Sequence, residues 1–195
     1  MRLLVVDDHI PTRQDIVREL STGGAIDIVG EAETSDQAMK MAKELLPDVV
    51  LLDLHLPGLI GTVDLIKRMT ALRNVHVVMF ASQGKPSEVQ DLLDSGAFGY
   101  VLKTDPPALI RMALHMVMRG STGVVSPSLP RHITRLSPEE RSVLRSITMR
   151  GKLPKAAERL EMPEEQLMEI VEGLMEKIDL DTPEKLVKWA KKQGF

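Results

Sequence analysis

The hydrophobic positions of this chain follow two patterns, and the change falls near residue 120. Before it, short apolar runs alternate with segments whose apolar residues recur every three to four positions. LLVV at 3–6, IDIVG at 26–30, DVVLLD at 48–53, VHVVMF at 75–80 and GYVLK at 99–103 predict strands. Thr12–Leu20, Ser35–Glu44, Val63–Leu72, Ser87–Ser95 and Pro107–Arg119 predict the helices between them. Strands with so little polar alternation are covered on both faces, so the fold class is α/β, a doubly wound five-stranded parallel sheet over residues 1–119. The stretch GSTGVVSPSLPRHITR then reads as linker, over about 120–136.

From 137 the strand pattern is gone. Ser137-Pro138-Glu139-Glu140 predicts a helix start, with a Ser cap, Pro at the first helical position and Glu three residues after the cap. Helical spacing covers about 138–149, 154–160, 163–178 and 183–193, a small all-α four-helix domain over 137–195. Only Glu161-Met162 separates the second and third helices, which is helix-turn-helix spacing.

Composition narrows the classes. The 195 residues are 43% apolar, enough for two cores, and a net charge of −3 gives no overall pull toward nucleic acid or anionic membrane. With no cysteine there are no disulfides and no thiolate metal ligands. No run reaches the roughly 18 apolar residues of a membrane span, and acidic Asp7-Asp8 stands where a signal peptide would be apolar. A cytoplasmic protein is the expectation.

The chemistry lies at strand ends. Asp7-Asp8 close the first apolar run, Asp53 closes the third and Lys103 ends the fifth. In a parallel sheet these ends share one edge, where ligands bind. Any one of these aspartates alone could merely cap the helix that follows. Three carboxylates beside one ammonium need compensation, and Mg2+ supplies it with oxygen ligands. Asp8 and Asp53 are expected as direct ligands, Asp7 directly or through water, and the carbonyl of His55 as a further one. Asp53 is then the nucleophile toward phosphorus, and Lys103 pairs with the phosphoryl oxygens.

With Asp7-Asp8, Asp53, the loop DLHLPGLIG carrying Pro57-Gly58 and Gly61, and SGAFGYVLKTDPPALI, residues 1–119 resemble the receiver domain of two-component response regulators. The resemblance implies Asp53 as phospho-acceptor, Tyr100 as switch aromatic, and a sensor histidine kinase or small phosphodonor as partner. It implies self-directed phosphoryl transfer rather than an enzyme with turnover. A haloacid-dehalogenase-like phosphatase also places Asp at a strand end, but has another Asp where His55 stands. One position departs from the receiver pattern: 22 residues before Lys103, where the family has Ser or Thr, this chain has Ala81. Losing that hydroxyl removes a charge-assisted hydrogen bond of about 1.5–3 kcal/mol from the link between phosphate and Tyr100.

Residues 137–195 resemble the LuxR/NarL-type DNA-binding domain, through LSPEERSVLRSI, the apolar frame Ala157, Leu160, Met162, Leu167, Val171, Leu174 and Ile178, and LDTPEKLVKWAKKQGF. The resemblance implies transcription control, duplex DNA as partner and a homodimer. The surface disagrees with the frame. Over 163–178 the helix expected in the major groove has five glutamates and one lysine, a poor match to phosphates. Met168, Glu169 and Glu172 occupy the positions expected to face DNA, while Lys152, Lys155 and Arg159 remain for its backbone. The alternative is a regulator that no longer binds DNA and works through protein contacts.

Overall fold

The structure is a computed structural model describing residues 1–129, 136–149 and 153–195. The chain divides into two compact units, Met1–Gly84 with Asp91–Pro130, and Lys85–Gln90 with Arg131–Phe195.

The first unit is built on a parallel sheet of β1 (Arg2–Val6), β2 (Asp27–Ala32), β3 (Val49–Asp53), β4 (His76–Ala81), β5 (Gly99–Leu102) and β6 (Val124–Val125), in the order β2-β1-β3-β4-β5-β6. The helices α1 (Ile10–Ser21), α2 (Ser35–Leu45), α3 (Thr62–Thr70), α4 (Pro86–Asp94, of which Asp91–Asp94 fall in this unit) and α5 (Pro107–Met118) alternate with the strands along the chain. Alternation along each strand sorts the core. Leu3, Val5, Val49, Leu51, Val78, Phe80 and Val101 pack with Ile16 and Leu20 of α1 and with Ile110, Leu114 and Val117 of α5. The intervening residues Leu4, Val6, Val50, Leu52, Val77 and Met79 are fully buried too, which is why these strands lack a polar face. Truncating one such residue, as in Leu51→Ala, costs about 2–5 kcal/mol.

The same alternation sets up the edge. Leu3 pairs with Val49, and Asp53 pairs with Phe80. Continuing the parity of Val5, Leu51 and Val101 by two residues reaches Asp53 at the end of β3 and Asp7 and Lys103 just past β1 and β5, so the pleat itself puts them on one face of the carboxyl edge. Ala81 and Tyr100 have the opposite parity, because Ala81 pairs with Leu102 and Met79 with Tyr100.

The sheet has six strands where the sequence pattern predicts five. β6 lies inside the stretch expected as linker, of which 130–135 fall outside the described residues. Its presence depends on distant partners. Val124 pairs with Gly99, where a Cβ would stand 2.7 Å from the Val124 carbonyl oxygen, so the close approach requires glycine. Just beyond β6, Ser126 Oγ donates to Oδ1 of buried Asp105 at 2.7 Å, and Leu102 N donates to Oδ2 of the same carboxylate at 2.9 Å.

The second unit holds α6 (Pro138–Thr148), α7 (Leu153–Leu160), α8 (Glu164–Ile178) and α9 (Pro183–Gln193). The expected cap is present: Glu140 N donates to Ser137 Oγ at 3.0 Å, and Ser137 N donates to Glu140 Oε2 at 2.6 Å. Val143, Leu144, Ala156, Leu167, Val171, Leu174, Leu186 and Ala190 form the core, with Trp189 and Phe195 packed against it. Glu161, between α7 and α8, takes a left-handed backbone conformation at φ 51°, a strained choice for a residue with a side chain. It makes the turn there without glycine. Among the described residues, no helix is long and apolar enough to cross a membrane.

Candidate phosphoryl-acceptor and metal site

Asp7 is wholly buried, Asp53 is 5% exposed and Asp8 is open to solvent. One carboxylate oxygen from each lies within 4.8 Å of the others. Lys103 Nζ stands between two of them, 2.7 Å from Asp7 Oδ2 and 3.0 Å from Asp53 Oδ1. The loops fix the carboxylates in turn. His9 N donates to Asp7 Oδ1 at 2.9 Å, and Leu54 N donates to Asp53 Oδ1 at 2.8 Å. Asp53 Oδ1 is thus taken by an amide and an ammonium, which leaves Oδ2 as the oxygen free to react.

Asp7 Oδ2 is buried, with the Lys103 ammonium at 2.7 Å as its only neighbouring donor among the described residues. A buried carboxylate oxygen with an open lone pair, in a set of three carboxylates and one cation, fits a hard divalent ion. Burial pushes the Asp53 carboxyl above its ordinary value; Lys103 opposes this, and the neighbouring Asp7 charge adds to it. Burial would lower the pKa of Lys103, but its partners Asp7 and Asp53 outweigh that and hold it above the usual lysine value. Lys103 therefore stays charged, as a partner for phosphoryl oxygens must.

His55 follows Asp53 by two residues and is exposed. The loop carrying it is tied to the start of α2. Leu59 N donates to Asp36 Oδ2 at 2.8 Å, Ile60 N to Ser35 Oγ at 3.2 Å, and Ser35 N to the Pro57 carbonyl at 2.9 Å. Gly58 sits at φ 135°, where a Cβ would stand 2.2 Å from Ser35 Oγ. Ala81 is buried at the end of β4, and Tyr100 is fully buried with its hydroxyl donating to the Gln83 carbonyl at 2.7 Å. Ala81 ends β4 beside the site, its carbonyl accepting from Lys103 N at 2.8 Å.

Strand-end spacing does not point to Arg13, yet the structure buries it against the Asp7 carbonyl. A signal was available. Arg13, Ile16 and Leu20 share the buried stripe of α1, and a cation there requires a partner.

In the second unit, Lys155 and Arg159 are exposed, and Lys152 lies outside the described residues. Arg159 spends its donors on backbone, Nε to the Lys155 carbonyl and Nη2 to that of Ser146, both at 3.0 Å. Met168 is half-buried, while Glu164, Glu165, Glu169, Glu172 and Glu176 are all exposed. Lys177, the one cation of α8, is held by Glu140 at 2.9 Å.

Residues 3–115 match the family model of the response regulator receiver domain. The nitrate/nitrite response regulator protein NarL of Escherichia coli is 29% identical, over 96% of this chain and 93% of that protein. The response regulator protein VraR of Staphylococcus saprophyticus is 33% identical, over 88% of this chain and 74% of its own length. Among solved structures, the NarL receiver domain of Mycobacterium tuberculosis is 33% identical with a TM-score of 0.57, covering 61% of this chain and 96% of that one. RcsB of Salmonella enterica serovar Typhimurium, solved bound to a promoter, is 24% identical with a TM-score of 0.64 and covers 98% of both chains; it shares the fold. This chain belongs to the two-component response regulators, of the NarL/FixJ type, with a receiver followed by a LuxR-type helix-turn-helix domain.

Proposed function

We propose that Asp53 accepts a phosphoryl group and that the receiver, residues 1–119, passes this state to the output domain, residues 137–195, which controls transcription. The observation that carries the reading is the trio Asp7, Asp8 and Asp53 within 4.8 Å, with Lys103 between two of its members. Asp8, Asp53 and Asp7, with the His55 carbonyl, would hold Mg2+, which when bound offsets the charge of the transferred group. Asp53 Oδ2 attacks phosphorus while the bond to the donor's leaving atom breaks, the imidazole nitrogen of a histidine kinase or the oxygen of a small phosphodonor. Lys103 pairs with a phosphoryl oxygen, and Leu54 N keeps the carboxylate in line. The protein modifies itself once rather than turning over a substrate, and it works in the cytoplasm.

Intact-mass measurement after treatment with a small phosphodonor tests this. One phosphoryl group is expected on the wild type with Mg2+, and none with EDTA or on Asp53→Asn. A folded wild type that never gains mass would end the reading.

The output reading rests on the helix-turn-helix frame, and RcsB, of the same fold, was solved on a promoter. A second reading has its own observation: α8 exposes five carboxylates, and its lysine is bound to Glu140. On that reading the output domain works through protein contacts, as a homodimer or with another protein. Titration of mixed duplex DNA at low salt separates the two.

A further inference from the structure

Arg13 is 7% exposed and sends its guanidinium in three directions. Nη1 donates to the main-chain carbonyl of Asp7, Nε to Glu31 Oε2 at 3.0 Å, and Nη2 to Glu33 Oε1 at 2.7 Å. Glu31 lies in β2 and Glu33 just past it, and the Asp7 amide donates to Ala32 O between them at 3.1 Å. The peptide joining Asp7 to Asp8 is therefore gripped from behind at a carbonyl, while both side chains project into the acidic site. No other side-chain donor to that carbonyl is present among the described residues.

We infer that Arg13 is a positioning residue for the cation site: through the Asp7 carbonyl it sets the aim of the Asp7 and Asp8 carboxylates. The inference rests on the phosphoryl-acceptor reading above. Only a planar fork reaches all three acceptors at once, so lysine is not an equivalent. Groups that orient ligands from behind typically change metal affinity 10–100-fold when removed.

Charge alone predicts the reverse. Arg13 with Glu31 and Glu33 carries a net charge of minus one, and Arg13→Met makes it minus two. Both glutamates are about half-exposed, and one guanidinium joins them to the Asp7 carbonyl, so their charge is only partly screened from the site. If Arg13 acted only as a charge, its loss would strengthen cation binding. Positioning requires that the loss weaken it.

The test is Mn2+ binding by the full-length protein, read by electron paramagnetic resonance and checked by Mg2+ competition, at a temperature where each variant is folded. Arg13→Met is expected to weaken Mn2+ binding by about tenfold or more. Arg13→Lys should recover only part of this. The triple variant Arg13→Met/Glu31→Gln/Glu33→Gln, which removes the added negative charge, should be at least as weak as Arg13→Met. The rate of phosphoryl uptake by Arg13→Met should recover toward wild type at saturating Mg2+, because the reacting groups themselves are intact. Should Arg13→Met fail to fold, Arg13→Lys decides: it keeps the charge and loses the fork, so weaker Mn2+ binding than wild type is expected, and binding equal to wild type overturns the inference. Unchanged or tighter Mn2+ binding by these variants overturns the inference, even with a lowered melting temperature, since that shows a purely structural role. A wild type that binds no Mn2+ overturns the phosphoryl-acceptor reading and this one with it.

Discussion

Two acidic regions stand in contrast. At the sheet edge three carboxylates crowd within 4.8 Å, two of them buried, around one lysine. On α8 five carboxylates stand exposed along one helix. Burial makes the difference. At the edge the two buried charges are poorly solvated and must find a cation, so the group has chemistry built into it. On α8 water screens each charge, and the helix presents a repulsive surface toward polyanions but no reactive centre. A count of acidic residues would rank α8 first, while the geometry assigns the chemistry to the smaller group.

The largest expected effect probes the buried region. Lys103→Met should slow phosphoryl uptake from a small donor by about 10²–10³-fold, the usual loss for one charge-stabilising group. Uptake is followed by intact mass over time, and a rate within a few-fold of wild type would show that Lys103 only neutralises Asp7. The exposed region comes next. On the second reading, full-length protein should bind mixed duplex DNA more weakly than about 10⁻⁴ M at physiological salt, the weak end of ordinary non-specific affinity. Glu169→Lys/Glu172→Lys should tighten binding at least tenfold and steepen the salt dependence by about one unit for each phosphate newly neutralised. Wild-type binding to a palindrome at about 10⁻⁷ M or better would mean that another surface enters the groove.

Ala81 permits a smaller test between the two regions. Restoring a hydroxyl with Ala81→Thr adds a charge-assisted bond of about 1.5–3 kcal/mol to the phosphorylated form. With beryllofluoride as phosphate mimic, amide shifts near Tyr100 and along α5 should be larger in Ala81→Thr than in wild type. Equal shifts would place the coupling elsewhere. The smallest effect belongs to the cap of α6. Ser137→Ala should cost about 1 kcal/mol of stability in the second unit. Burial raises the Glu140 carboxyl, but the Ser137 amide and Lys177 outweigh it and hold it below its ordinary value. A depressed carboxylate stabilises above its unfolded pKa and loses that contribution as pH falls through the folded one. The second unit should therefore weaken on acidification below the usual glutamate range, and less so in Glu140→Gln; thermal melts against pH check this.

Much of this was legible in the sequence because it is local or periodic. Five strands, their helices, the α6 cap and the residues of the acidic edge follow from apolar spacing and strand-end chemistry. β6 escaped because two valines in a Gly, Ser and Pro setting carry no period. The strand exists through Gly99 and Asp105, some twenty residues upstream. β2 runs on to Ala32, past the expected end at Gly30, because Glu31 is half-polar surface that pattern reading assigns to a loop. Its two extra residues are the ones that bring Glu31 and Glu33 within reach of Arg13. α1 starts at Ile10 under a His9 cap whose ring accepts from the Thr12 amide, and histidine is not among the residues that signal a helix start.

The burial of Tyr100 has an optical consequence. The chain contains a single tyrosine and a single tryptophan. Tyr100 is enclosed in the first unit with its hydroxyl on the Gln83 carbonyl, and Trp189 lies at the core edge of the second, stacked on Phe195 with centroids 6.5 Å apart. Each unit thus carries its own chromophore in a distinct environment. Red-edge excitation selects the tryptophan and the second unit, while the ring proton resonances of the one tyrosine report on the first. On the proposed function, a signal that starts at Asp53 can be timed as it reaches the second unit without attaching any label.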